Sequence, residues 1–283
     1  MASSIRFDLR PDGVAVLTID QPDSKVNVLT ESLWADLETA LDSLGVRTDV
    51  KGLVIASAKP GAFIAGADLK LLANAPAPND PTVRAFIEQG LRVLQKLEAL
   101  PFPTCAAIDG AALGGGLEVA LACDCRVLGT NPKVQLGLPE VKLGLIPGWG
   151  GTQRLPRLIG LERAARMIAT GESLSASEAI HSGLSEPGAV YLIRGACIAV
   201  QIADFTDIRG KKREPLPAME RHAFAPMIEP EPVAIREALL VMIEGASLPL
   251  YEAIKLETAA FMRLAGSPES KRLIAEFFAS RKK

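Results

Sequence analysis

Histidine is nearly missing from this chain: His181 and His222 are the only two. They lie far apart, each without a cysteine or a second histidine nearby, which argues against a histidine-based catalytic centre or a zinc site. Acid–base chemistry must then fall mainly to carboxylates. Cysteine is scarce as well, and Cys105, Cys123, Cys125 and Cys197 sit in apolar surroundings without forming a CxxC pair, so they read as reduced core residues. Neither sign of charge dominates. The formal net charge is −2, with no basic stripe for nucleic acid and no acidic block. Long apolar runs are missing too. The start "MASSIRFDLRPDG" lacks a signal-peptide core, and the longest apolar stretch is interrupted by Asp109, Glu118 and Asp124. The expectation is a cytoplasmic protein, neither secreted nor spanning a membrane. What remains is a folded chain of 283 residues suited to small-molecule chemistry.

What is present is an alternation of short apolar runs and amphipathic segments. "IRFDLR", "PDG" and "GVAVLTID" read as a strand, a turn and a more buried strand. "LTESLWADLETALDSL" spaces Leu29, Leu33, Leu37, Leu41 and Leu44 at helical intervals, with Thr30 and Glu31 at its start. A strand at "VKGLVIASA" follows, then a loop around "GAFIAGADLK", a helix near 82–99, a strand at "PTCAAIDG", a helix from the triple glycine and a strand at "CRVLGT". This order predicts an α/β fold with largely parallel strands. Further on, "QRLPRLIGLERAARMIATG" and "SASEAIHSG" read as helices, the second opened by a Ser175–Glu178 capping box. Residues 186–234 are proline-rich and read as a helix near 191–203 followed by an extended connection. Three amphipathic helices end the chain.

The segment "LGGGLEVALACD" poses the functional question. A strand, a glycine turn and a helix expose backbone N–H groups at a positive helix end. A phosphate loop is excluded: Gly110 and Gly115 have its spacing, but Gly116 and Leu117 stand where Lys and Ser/Thr are needed. A dinucleotide GxGxxG is absent too. The other candidate anion is an oxyanion formed during reaction, for which a preorganised N–H such as that of Gly115 contributes about 3–4 kcal/mol. "AFIAGADLK" offers a second donor, the N–H of Ala67.

"IDGAALGGGLEVALACDCRV", "FIAGADLK" and "LGLPEVKLGLIPGWGGTQRLPRLIG" together resemble the crotonase superfamily, and most of all the enoyl-CoA hydratases, over about residues 5–184. The resemblance implies a ββα spiral core with a helical C-terminal trimerisation region, and an assembly of trimers or pairs of trimers. It divides the chain into a core with the active site at 1–184, a Pro-rich connection at 185–234 and a C-terminal helical region at 235–283. It makes Ala67 and Gly115 the oxyanion hole and Glu118 and Glu140 the catalytic carboxylates, Glu118 activating water and Glu140 delivering a proton to the α-carbon. The CoA part of an acyl-CoA thioester substrate falls to Lys25, Ala67, Asp68, Leu69 and Lys70, with Asp68 ordering the loop after Ala67. No metal is implied, and no cofactor beyond the coenzyme A of the substrate.

Two carboxylates favour a hydratase, because family members that only shift a double bond generally lack the one matching Glu118. A Δ3,Δ2-enoyl-CoA isomerase and a non-catalytic acyl-CoA-binding subunit are the alternatives. Trp149 stands where the family commonly has a small residue, either narrowing an acyl pocket or packing. Gly148, Gly150 and Gly151 read as structural, Arg154 as one side of an ion pair and Thr152 as a helix cap. "SEPGAV" replaces the family's usual core-closing strand.

Overall fold

The computed structural model describes residues 3–186, 193, 196, 205–217 and 232–281. The chain divides into two compact units. The first comprises Met1–Ala67, Gln89–Leu136 and Leu174–Lys211, the second Asp68–Glu88, Gly137–Ser173 and Lys212–Lys283.

The first unit opens with the expected hairpin, β1 (Ile5–Leu9) paired antiparallel to β2 (Val14–Ile19). Gly13 turns the chain at φ +84°, a region that strains side-chain-bearing residues. Helix α1 (Glu31–Gly45) starts where Thr30 accepts the N–H of Leu33, and it buries Leu33, Trp34, Leu37, Leu41 and Leu44. The strands β3 (Gly52–Ser57), β5 (Thr104–Ile108) and β7 (Cys125–Leu128) extend the hairpin into a five-stranded sheet, β1-β2-β3-β5-β7, parallel from β2 onward. Burial on both faces explains their unbroken apolar runs. One face is the cluster of Val14, Val16, Val54, Ala56, Cys105, Ala107, Cys125 and Val127, packed with Ile193 and Ala196. Cys105, Cys123 and Cys125 are buried free thiols, as expected; Cys197 and His222 lie outside the described residues.

Each strand after β2 is followed at once by a second, shorter one: β4 (Gly61–Ile64) after β3, β6 (Gly110–Leu113) after β5, and β8 (Gln135–Gly137) after β7. These join β9 (Ser173–Ser175) in another sheet, ordered β4-β6-β8-β9. The repeating β-β-α turn is the spiral implied by the resemblance. Simple strand–helix alternation missed its second strands because runs of three or four residues show no usable period. Gly110 is required there, since a Cβ would overlap the backbone of Gly61 and Ala62.

Helix α3 (Pro81–Glu98) passes from the second unit into the first at Gln89. Within the first unit, Arg92 and Lys96 meet Glu38 of α1 at 2.8 and 3.0 Å. The hydrogen bond from Arg92, helped by Lys96, pulls the Glu38 carboxyl down from 4.5 to about 2. A depressed carboxylate stabilises the fold above its unfolded value, and that contribution is lost as pH falls from about 4.5 toward 2. Because the pair is partly exposed, Glu38→Gln should cost about 1 kcal/mol near neutrality. The gap between the two proteins in urea midpoint should close on acidification, and a gap that stays constant down to pH 2 would contradict this account.

The segment expected to be an extended connection contains a helix, α8 (Phe205–Arg213), which corrects that reading. Tertiary anchoring overrides its weak local signal. Arg209 grips the buried Asp124 through Nε and Nη2 at 2.7 and 2.8 Å and donates to the carbonyls of Leu100 and Phe102. The helix expected near 191–203 falls almost wholly outside the described residues. Among the described residues of "SEPGAV", Glu186 makes a bridge to Val127 and donates its N–H to the Arg126 carbonyl.

The second unit is mostly helical: α2 (Leu69–Ala73), a 3-10 helix at Glu140–Leu143, α5 (Gly151–Ile159), α6 (Leu161–Thr170), α9 (Val233–Ala246), α10 (Leu250–Leu264) and α11 (Pro268–Ser280). The three helices expected at the end of the chain are α9, α10 and α11. The first unit also carries α4 (Gly115–Ala122) and α7 (Ala176–His181), the latter with its capping box in place and the exposed His181 in its last turn. Among the described residues no helix is long and apolar enough to cross a membrane.

Candidate active site

In the first unit the parallel strands β4 and β6 end side by side. Each runs into a glycine at positive φ, Gly66 at +114° and Gly114 at +53°. The carboxyl ends of parallel strands are where open α/β sheets present ligands. The three consecutive glycines have separate reasons. Gly114 holds the positive φ, while a Cβ on Gly116 would run into the carbonyl of Ile64, so only glycine lets α4 lie against the end of β4. Gly115 between them is the first residue of α4. No side chain caps this helix; the N–H groups of Leu117 and Glu118 both go to the Gly114 carbonyl. The start of α4 therefore has a glycine, not a polar side chain, at its cap position.

Helix α4 is buried along its whole length, and Glu118 is only 1% exposed. Glu118 stands three residues after Gly115, on the same helix face, where the helix dipole favours an acid.

Ala67 is held by the "SKVNVL" loop. Leu29 bridges to Ala67 and donates to the Gly66 carbonyl at 2.9 Å, and Ala65 donates to the Asn27 carbonyl at 2.8 Å. Asn27, fully buried, is the residue that the sequence reading missed. Its Nδ2 reaches the carbonyls of Ile19 and Phe63 and the hydroxyl of Ser57, and its Oδ1 accepts the N–H of Gln21. The available signal was one polar residue flanked by valines in "KVNVL". Asn27→Ala should cost about 2–3 kcal/mol by stranding buried partners; an unchanged urea midpoint would show that the loop is held otherwise. Lys25 in this loop is exposed.

In the second unit, Asp68 accepts the N–H of Lys70 at 3.0 Å and caps α2, ordering the residues after Ala67 as expected. Leu69 is half-buried and Lys70 exposed. Glu140 opens the 3-10 helix behind Pro139, is half-buried, and has its Oε2 shielded from solvent. The Glu140 carbonyl accepts the N–H of Leu145, which ties down the turn that follows it.

Trp149 is a packing residue within this unit. Its Nε1 donates to the Ile87 carbonyl at 3.1 Å and its ring stands edge-on to Phe86 at 5.2 Å. Thr152 is not the cap of α5, which corrects that expectation: Gly150 holds that place at φ +95°, leaving Thr152 inside the first turn. The cap comes from a distant carboxylate, Glu257 of α10. It accepts the N–H groups of Gly150 and Thr152 and the Thr152 hydroxyl at 2.6, 2.8 and 2.6 Å. Arg154, also buried, donates to the Trp149 carbonyl.

The structure therefore brings Ala67, Gly115 and Glu118 into one unit, on the ends of β4 and β6, and places Glu140 at the head of a short helix in the other. A family model described as enoyl-CoA hydratase/isomerase matches residues 10–187. The chain is 31% identical to an enoyl-CoA hydratase from Bacillus anthracis, with 99% of this chain and 97% of that one covered at a TM-score of 0.63. It is 30% identical to DspI from Pseudomonas aeruginosa, covering 80% and 92% at a TM-score of 0.65. With its paired sheets, β-β-α turns and C-terminal helices, this chain belongs to the enoyl-CoA hydratase/isomerase family and has the crotonase fold.

Proposed function

We propose that the protein is an enoyl-CoA hydratase that adds water across the double bond of 2-enoyl-CoA thioesters to give 3-hydroxyacyl-CoA. The observation that carries this reading is Glu118, buried one turn inside a glycine-headed helix whose N terminus no side chain caps. The N–H groups of Ala67 and Gly115 hold the thioester oxygen and take up the enolate-like charge that builds on it. Glu118 accepts a proton from water as the water oxygen bonds to the β-carbon, and Glu140 gives a proton to the α-carbon. Lys25 and the segment Ala67, Asp68, Leu69 and Lys70 receive the CoA part, the two lysines pairing with phosphates. No metal or redox cofactor has a step in this scheme. The helices α9, α10 and α11 serve trimer formation, and the enzyme works in the cytoplasm.

The test is turnover of crotonyl-CoA followed by loss of its enoyl thioester absorbance, with 3-hydroxybutyryl-CoA identified as the product. Conversion of a 3-enoyl-CoA with no hydrated product would replace this reading with an isomerase. Tight acyl-CoA binding without turnover at any chain length would replace it with a binding subunit.

A further inference from the structure

The free edge of the five-stranded sheet carries a pattern that the proposed chemistry does not use. Among the described residues, strand β1, "IRFDL", pairs only with β2, and its three central residues, Arg6, Phe7 and Asp8, are exposed. Flanking hydrogen bonds fix the phase of this strand. Asp20 donates to the Ser4 carbonyl and Arg10 to the Val14 carbonyl, both on the register of the β1–β2 ladder. Even-numbered residues therefore turn their backbone groups toward β2, and Ile5, Phe7 and Leu9 turn theirs to the free edge. The Ser3 hydroxyl agrees with this phase, since it bonds both the N–H and the carbonyl of Ile5.

We propose that β1 is a self-association edge, at which two copies of this chain pair their β1 strands antiparallel about a two-fold axis through Phe7. In that register the outward N–H and carbonyl of Phe7 meet those of Phe7 in the second copy. Ile5 lies opposite Leu9 on the side of Phe7, and on the other side Arg6 lies opposite Asp8 twice. This is the one antiparallel register that joins outward-facing residues and also matches every charge. A strand with two like charges would repel its own copy, whereas the order basic, aromatic, acidic is self-complementary. The side of Phe7 mixes apolar and polar groups. Phe7 is 46% exposed, sits 5.5 Å from the Arg47 guanidinium, and with Ile5, Leu17 and Leu44 lines a cavity of about 520 Å³ against α1 that a second Phe7 would help to cover. A five-residue edge buries less than the ~1,200 Å² of a lasting complex, so the association is weak and concentration-dependent.

Sedimentation equilibrium of the full chain over a concentration series tests this proposal. The parent should gain mass with concentration beyond the assembly it forms at the lowest one. D8R and R6D should each weaken that step about tenfold or more, through two like-charge pairs. The swapped variant R6D/D8R and an equimolar mixture of the two single variants should recover it, because both restore opposite charges. F7P removes an N–H that the ladder to β2 does not use, so it should abolish the step while the hairpin folds, and it keeps the test decisive if a charge variant misfolds. Parent protein without concentration dependence, single variants that associate like the parent, or a swapped variant and a mixture that stay dispersed would each overturn the proposal. Turnover of crotonyl-CoA is read separately and does not enter this result.

Discussion

Glu118→Gln should lower turnover of crotonyl-CoA by about a hundred- to ten-thousand-fold, the usual contribution of a positioned proton-transfer group. The substitution keeps the shape and volume of a side chain that is only 1% exposed, so α4 retains its packing and the N–H groups proposed as oxyanion donors stay in place. What disappears is a carboxylate able to take a proton from water. The loss should therefore appear in kcat while KM changes little, because the CoA contacts assigned to Lys25 and Lys70 are untouched. Glu140→Gln should give a loss of similar order, and the double variant should lose far less than the product of the two single losses, since residues that act in one step are not additive. Steady-state rates for the three variants settle the matter. A Glu118→Gln enzyme within a few-fold of the parent would remove Glu118 from the chemistry.

The second large effect is on stability. Glu257→Ala should lower the unfolding free energy by about 3–5 kcal/mol. Glu257 is fully buried, and its two oxygens take hydrogen bonds from the N–H of Gly150, the N–H of Thr152 and the Thr152 hydroxyl. Truncation would leave those donors buried without an acceptor at the positive end of α5. Glu257→Gln, which keeps the volume and one good acceptor, should cost less than the alanine variant. Urea denaturation of the three proteins gives the comparison, and an alanine variant within about 1 kcal/mol of the parent would contradict the capping role.

Much of the first unit was legible because its signals are local. The leucines of α1 recur at helical spacing behind Thr30, and Ser175 with Glu178 announces α7. The triple glycine located the start of α4 and, through the resemblance, its partner segment around Ala67. The roles of the three glycines were not legible. That Gly116 is needed against the Ile64 carbonyl and Gly114 for a positive φ depends on where β4 lies, 50 residues earlier in the chain. The same limit applies to Thr152. Its sequence context suits a helix cap, but the cap is Gly150 and the acceptor is Glu257, contributed by α10.

The sequence by itself determined the strand–helix order, the apolar faces, the glycine-headed helix and the two glutamates, because spacing, capping and turn chemistry act over a few residues. Only the tertiary structure decided the second strand of each spiral turn, the fixing of the Ala67 loop by Asn27, the helix docked by Arg209 on Asp124, and the cap supplied by Glu257. Each of these rests on a hydrogen-bonding group finding its partner across a long stretch of chain. Burial makes such partners obligatory, and local sequence does not name them.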